Sequence, residues 1–382
     1  MNRYDFVIIG AGSVGVPLAY YLSLTGATVL VIEKKKSVGQ GSNKAAIGGI
    51  RATHSNPAKI IVGKKSLEIF ENWQKKYNIE WYRGGYSFLA YDKDTEKELR
   101  ELVKFQQSVG LEIDYLERDA LLEKIPSLNQ YNLRGGTFSP KDGSASPLLT
   151  INSFYREAKK NKVVFLFDTE VVGFNVSDGS IKEVKTNKQT LKGDIVINAS
   201  GGWANKVQSL LGEEIPVMPD VHEAGITEPV KHFLDPMLVD IRETEDSANF
   251  YFYQHKTGQI IFCLTPKRPR LGFDVSETSS FLPIATRRMV SLVPRLVNIR
   301  VRRTWAGMYP MTPDGNPLVG FSKKIKNLFI ASGMCGQGFM LAPGLAYYLA
   351  QYFKENKEEE ELKIIFKEFD PYRAFGKEEK LK

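Results

Sequence analysis

The stretch Tyr4–Glu33, YDFVIIGAGSVGVPLAYYLSLTGATVLVIE, decides the fold. Tyr4–Ile9 reads as a buried strand of parallel type, Gly10–Gly15 as a tight glycine turn, and Val16–Ser23 as a helix ending at Gly26. Thr28–Ile32 is a second strand, closing on Glu33. This is a βαβ unit, the context a glycine fingerprint needs. Gly10-Ala11-Gly12-Ser13-Val14-Gly15 fits G-x-G-x-x-G: Gly10 permits the turn, Gly12 admits a pyrophosphate to the backbone, and Gly15 lets helix and strand pack closely. The helix start then offers free N–H groups and a positive dipole end to phosphate. Glu33 lies 23 residues beyond Gly10, near the ~20 at which a carboxylate takes the adenosine ribose hydroxyls. Strand, turn, helix, strand and acid agree on an adenine dinucleotide.

Further along, Tyr86–Tyr91 reads as a strand, Thr95–Val109 as an amphipathic helix and Val163–Phe174 as two short strands. Asp194–Asn198 is another buried strand, ending in Ala199-Ser200-Gly201-Gly202. Asn249–Phe262 alternates as an antiparallel sheet does. Asn327–Ala331 is a further parallel strand, leading through Gly333–Gly338 to a helix expected from about Ala342 to Phe353. Nucleotide-binding segments thus stand at the start, centre and end of the chain. The expected architecture is α/β, a discontinuous Rossmann-like cofactor domain (1–82, 143–213 and 306–382) with an inserted, mostly antiparallel substrate domain (83–142 and 214–305).

The 382 residues exceed what one core usually serves. No stretch reaches the ~20 apolar residues of a membrane helix, and Phe6–Ile9 follows charged Arg3 and Asp5, unlike a signal peptide. A cytoplasmic enzyme is the expectation. Two cysteines, Cys263 and Cys335, without a C-x-x-C pair exclude a disulfide framework and a Cys-type zinc site. His54, His232 and His255 show no ligand spacing, and no metal is expected. The net charge of +8 is spread out and mixed with acids, as in Lys354–Lys363, which reads as a solvated surface rather than a nucleic-acid face. Leu362, Ile364, Ile365 and Phe366 form an apolar helical stripe, packed on the parent domain or docking another subunit.

The glycine fingerprint alone does not separate FAD from NAD. Two features favour FAD. Gly39-Gln40-Gly41-Ser42 and Gly48-Gly49-Ile50-Arg51 make a loop of small residues suited to an extended dinucleotide. Gly333-Met334-Cys335-Gly336-Gln337-Gly338-Phe339 sits between strand and helix, where N–H groups can stabilise charge at the N1–C2 edge of a reduced flavin.

These motifs, with Arg83-Gly84-Gly85-Tyr86, Asp142-Gly143, Asn198–Trp203, Trp305-Ala306-Gly307 and Thr312–Pro317, resemble the D-amino-acid oxidase/sarcosine oxidase superfamily over nearly the whole chain. Within it the chain is most similar to sarcosine oxidase beta subunits and the beta subunits of hetero-oligomeric dye-linked L-proline dehydrogenases. The resemblance implies non-covalent FAD: the fingerprint glycines, Glu33 and Lys34 hold the AMP half. Gly41, Ser42, Asn43, Lys44, Ala45, Ala46 and Gly48 line the pyrophosphate and ring approach. Val171 meets adenine through its backbone; Ala199, Gly201 and Trp203 lie alongside; and Gly307, Gly333, Gly336, Gln337, Gly338, Phe339 and Met340 frame the isoalloxazine. It further implies a partner alpha subunit, with FMN at the subunit interface. Met308 and Tyr309 stand where monomeric sarcosine oxidases link flavin through Cys, and Met340 replaces their Lys, which argues against oxygen as acceptor. Lys141 stands where a His links FMN in the heterotetrameric enzymes, so a second flavin would be non-covalent.

Flavin oxidation of an amine needs the Cα–H oriented and the carboxylate held. Arg51 is the leading carboxylate clamp. Tyr251 and Tyr253 share a strand face by period 2, and Tyr251 and His222 are candidate pocket residues. The expected reaction is oxidation of a small amino acid, foremost L-proline to 1-pyrroline-5-carboxylate, with electrons leaving through a partner. The alternatives are a sarcosine, glycine or D-amino-acid oxidase using oxygen, an RNA-modifying flavoprotein, or a non-catalytic flavin-binding subunit.

Overall fold

The computed structural model describes residues 3–355, 359–376 and 378–381. Residues 356–358 of the mixed-charge run lie outside them.

Strands Arg3–Ile9, Val29–Ile32, Val164–Leu166, Thr190–Asn198 and Leu328–Ser332 pair in parallel, and Leu318–Phe321 closes one edge antiparallel. Their central residues, among them Val7, Ile8, Leu30, Val31, Val196 and Ile197, are fully buried, as a sheet covered on both faces requires. Helices Gly15–Ser23, Pro57–Tyr77, Pro147–Lys160 and Gly338–Glu355 cover one face with a continuous apolar core. The hairpin Val171–Ser177/Ser180–Thr186 helps cover the other. Helix Pro57–Tyr77 shows why such segments fold locally. Asn56 caps it, its side chain accepting from the Lys59 amide at 3.2 Å; Pro57 opens it, and Asn78 at φ 50° ends it.

The second sheet runs Val301–Met311, Met218–Pro229, Gln259–Pro266, Ser247–Gln254, Met237–Asp240, Tyr86–Ala90, Gly135–Phe138, Asp114–Glu117. Its strands come from within 83–142 and 214–305, and Val301–Met311 crosses from the second of these ranges into the C-terminal part. Alternation sorts its aromatics. Phe250 and Phe252 are fully buried beneath helix Phe281–Leu292, whereas Tyr251 and Tyr253 pack on the opposite side with Tyr86 and Phe88.

The last long helix begins at Gly338, four residues before the expected Ala342. Pro343 consequently lies inside the helix rather than in its first turn. Ser66 makes this possible: its hydroxyl accepts from the Gly344 amide at 2.9 Å and donates to the Leu341 carbonyl at 3.3 Å. The stripe on helix Glu360–Phe369 turns inward, with Leu362, Ile365 and Phe369 fully buried in the chain's own core.

Candidate active site

The carboxyl ends of four parallel strands, at Ile9, Ile32, Asn198 and Ser332, open on one elongated cavity of about 350 Å³. That lies within the ~300–1,000 Å³ of small-molecule sites, and strand carboxyl ends are where α/β sheets bind ligands.

At the dinucleotide end, the glycine turn divides its labour. Gly10 has φ +108°, and a Cβ there would meet the Ala199 carbonyl at 2.6 Å. A Cβ on Gly15 would lie 1.9 Å from the Gly10 carbonyl oxygen, whereas one on Gly12 would meet nothing within 4 Å. Gly10 and Gly15 close the packing, and Gly12 leaves room that a pyrophosphate can occupy. Glu33 receives the Ala11 and Lys35 amides, each at 2.8 Å. Ser13 donates to Asn43 at 2.8 Å, tying the turn to the loop Gly41–Gly48. Asn198, fully buried, accepts from the Ser200 hydroxyl at 2.6 Å and donates to the Ala204 carbonyl at 3.0 Å, which fixes the turn carrying Gly201 and Trp203.

Two aromatic side chains hold the middle of the cleft. Trp305 donates its indole N–H to the Ala45 carbonyl at 2.9 Å, and Tyr253 its hydroxyl to the Ile47 carbonyl at 2.6 Å. Gly307 permits this approach: a Cβ on it would stand 2.5 Å from that of Ala45.

At the far end, strand register gathers a polar group. His222 pairs with Gly307, Ala224 with Cys263, and Cys263 with Tyr251. Tyr309 lies two residues beyond Gly307. The Tyr251 and Tyr309 hydroxyls are 2.6 Å apart, and the His222 ring stacks on Tyr309 with centroids 3.9 Å apart. His222 Nε2 is 3.0 Å from Asp220 Oδ2, while its Nδ1 is buried without a partner. Burial alone would raise the Asp220 carboxyl. Bonds from His222 and the amides of Arg270 and Val221 outweigh it and hold the group below the usual range. Asp220 is therefore a carboxylate that accepts the Nε2 proton, and Nδ1 is the ring nitrogen left facing no protein partner. Burial raises both tyrosines far above their ordinary range. It pushes the Cys263 thiol to about 11, so that thiol stays protonated.

Of the residues expected from sequence, Gly10, Gly12, Ser13, Val14, Glu33 and Lys34 line the cavity. So do Gly41, Ser42, Asn43, Ala45, Ala46 and Gly48; Val171, Ala199, Gly201 and Trp203; and Gly307, Gly336, Gly338, Phe339, Met340, His222 and Tyr251. Ala11, Gly15, Gly333 and Gln337 do not line the cavity, and neither does Lys44, which is exposed. Arg51 also stands outside it. Its guanidinium donates to the carbonyls of Thr53 and Leu381 and contacts His54 Nδ1 at 3.1 Å. The C-terminal segment occupies its hydrogen-bonding edge, with Leu381 buried beside Tyr86 and Phe88. Sequence reasoning missed Tyr86 and Tyr309 as lining residues and Asp220 as the partner of His222. Period 2 was the available signal for two of them: Tyr309 follows Gly307, and Asp220 precedes His222, by two positions on one strand.

Among the described residues no group of three or more His, Cys, Asp or Glu could hold a metal, and no helix is long and apolar enough to cross a membrane.

A glycine-turned parallel sheet, an acid at the second strand's end and a cleft running from amides to a polar aromatic chamber define a dinucleotide-dependent oxidoreductase. The chain belongs to the FAD-dependent oxidoreductases of the DAO family, whose model matches residues 5–352. It is 24% identical to the sarcosine oxidase subunit beta of Rhizobium meliloti (strain 1021), over 91% of this chain and 84% of that protein. It is 26% identical to the glycine oxidase of Geobacillus kaustophilus (strain HTA426), over 94% of each. The crystal structure of L-proline dehydrogenase from P. horikoshii superposes with a TM-score of 0.90 at 32% identity, covering 97% of this chain and 98% of that one. FAD is therefore the dinucleotide, and the open space at Gly12, the Glu33 carboxylate and the amides opening helix Gly338–Glu355 fit it.

Proposed function

We propose that this chain oxidises the C–N bond of a small amino acid, foremost L-proline to 1-pyrroline-5-carboxylate, as a catalytic beta subunit. Electrons then pass to a partner subunit, with FMN at the interface. The observation that carries the chemistry is the orphaned, buried His222 Nδ1 at the ring end of the cleft. An amino acid arrives as an ammonium, and its oxidation needs the nitrogen lone pair free. Nδ1 accepts that proton, and the Asp220 carboxylate stabilises the resulting imidazolium. Bound FAD supplies the two-electron acceptor. Among the described residues no Arg or Lys lines this end, so the substrate carboxylate is received by the Tyr251 and Tyr309 hydroxyls. Arg51 lends positive charge from behind Tyr86, which lowers the cost of that burial. Likeness to an L-proline dehydrogenase structure supports proline, and likeness to a sarcosine oxidase subunit beta supports a hetero-oligomer.

Anaerobic mixing of the flavin-loaded chain with proline, sarcosine, glycine and D-amino acids tests the reading. Proline is expected to bleach the flavin fastest. Bleaching by sarcosine or glycine alone would replace the substrate, and none at all would remove the amine chemistry. Stoichiometric peroxide under air from the isolated chain would replace the partner by oxygen.

A further inference from the structure

Beside the dinucleotide end of the cleft stands a ladder of four side chains from three separate segments. Lys34 Nζ lies 4.0 Å from the Trp203 ring centroid, and Trp203 stacks on Phe273 at 5.4 Å and 29°. Lys206 Nζ lies 4.0 Å from the Phe273 centroid. Lys34, Trp203 and Lys206 line the cavity; Phe273 does not.

Phe273 belongs to the antiparallel region, and its approach is built. The Val221 amide donates to the Arg270 carbonyl at 2.9 Å, and the Gly272 amide to that of Pro219 at 2.9 Å. This lays Arg270–Gly272 along the edge of strand Met218–Pro229. The Arg270 amide also donates to Asp220 Oδ1 at 2.7 Å. Gly272, at φ +127° with open space where a Cβ would go, then turns the chain. Leu271 is 63% exposed, whereas Phe273 is half-buried against Trp203. Trp203 in turn lies close to Gly41, whose added Cβ would be 3.7 Å from the indole. The indole thus packs beside Gly41 with both a cation and a second ring against it.

We infer that Phe273 is a cofactor-retaining residue: it braces Trp203 over the dinucleotide and sets how fast FAD leaves. The inference rests on the FAD assignment. Offset stacking and cation–π contacts each add free energy beyond area burial. Those that Lys34 and Phe273 make to Trp203 are lost when the indole leaves the ladder, so they oppose its departure from the cofactor. Dissociation is where such contacts are felt.

The test follows release of FAD from the diluted, flavin-loaded chain by the rise of free-flavin fluorescence. Phe273→Ala is expected to release FAD about tenfold faster, a loss of ~1.4 kcal/mol. Phe273→Tyr should restore the slow rate, and Lys206→Met should fall between. A merely structural role would lower the melting temperature of the FAD-free chain and leave the release rate unchanged. An unchanged rate in Phe273→Ala overturns the inference. A wild-type chain that takes up no FAD would instead overturn the assignment beneath it.

Discussion

The two ends of the cleft stand on different foundations. The dinucleotide end rests on an apolar parallel sheet whose central strands bury no charge, and it meets its ligand with amides, the carboxylates of Glu33 and Glu170, and surface-facing lysines. The ring end faces its substrate with phenols and an imidazole, and behind these lies a layer of buried charge. Arg51, His54, Lys59, Asp142 and Glu379 are all at least 95% buried there. Burial lowers Arg51, His54 and Lys59, so His54 is neutral. Burial would raise Glu379, but Lys59 and the Ser55 amide and hydroxyl hold it ionised. A backbone-built site is specified by where side chains are forbidden. A charge-built site depends on partners arriving from far along the chain. Substitutions should therefore fail abruptly at the first end and by degrees at the second.

The largest effect is expected at Gly15. With a Cβ 1.9 Å from the Gly10 carbonyl, Gly15→Val cannot be relieved by moving a flexible side chain. Strand and helix must part, and the expected product is colourless or insoluble protein. A yellow variant retaining stoichiometric flavin would show that the turn tolerates rearrangement, and the contrast between the ends would collapse.

At the ring end, His222→Asn should lower kcat/KM for the amine about a hundredfold, within the ~10²–10⁴ of acid–base catalysis, with flavin content unchanged. Asp220→Asn should cost about tenfold, because it removes the charge that stabilises the imidazolium while leaving the proton-accepting ring in place. A His222→Asn variant within threefold of the parent would place the proton acceptor elsewhere.

The same contrast explains what the sequence made legible. Gly10, Gly15 and Glu33 could be read because their roles follow from backbone geometry within one 30-residue unit. Tyr251 could be placed on a face by alternation alone. Arg51 was a reasonable clamp by chemistry, but its partner Leu381 is 330 positions away, and no local pattern announces such a contact. Lys59 and Glu379, joined at 3.3 Å with both side chains fully buried, were invisible for the same reason. The early start of helix Gly338–Glu355 depended on Ser66, 278 positions from Gly344.

Lys59→Met probes that buried layer. Removing one partner of a buried pair leaves a charge uncompensated, at ~3–5 kcal/mol when the other cannot escape. Here Glu379 can leave with the C-terminal segment, so the expected loss is smaller, about 1–3 kcal/mol. It should come with faster proteolysis after residue 375 and a weaker affinity for substrate, since Leu381 would leave Tyr86 and Phe88. Loss of stability without exposure of the tail would mean that Lys59 acts through the Gly315 carbonyl, 2.6 Å from its Nζ, rather than through Glu379.

The smallest effect separates the ends by pH. Asp142 accepts from the Ala52 amide at 3.0 Å and from the hydroxyls of Thr53 and Ser139 at 3.1 and 2.7 Å. Burial dominates and raises it to about 6; those bonds and Arg51 pull the other way. A carboxyl raised on folding binds its proton more tightly in the native state. Its contribution is thus fully present below the unfolded value near 4 and is lost as pH rises through about 6. Asp142→Asn should flatten the stability profile across that window, with a difference of the order of 1–3 kcal/mol between its limits. If denaturant midpoints at pH 4.5 and 7 moved equally in Asp142→Asn and its parent, the layer behind the ring would be tuned by some other group.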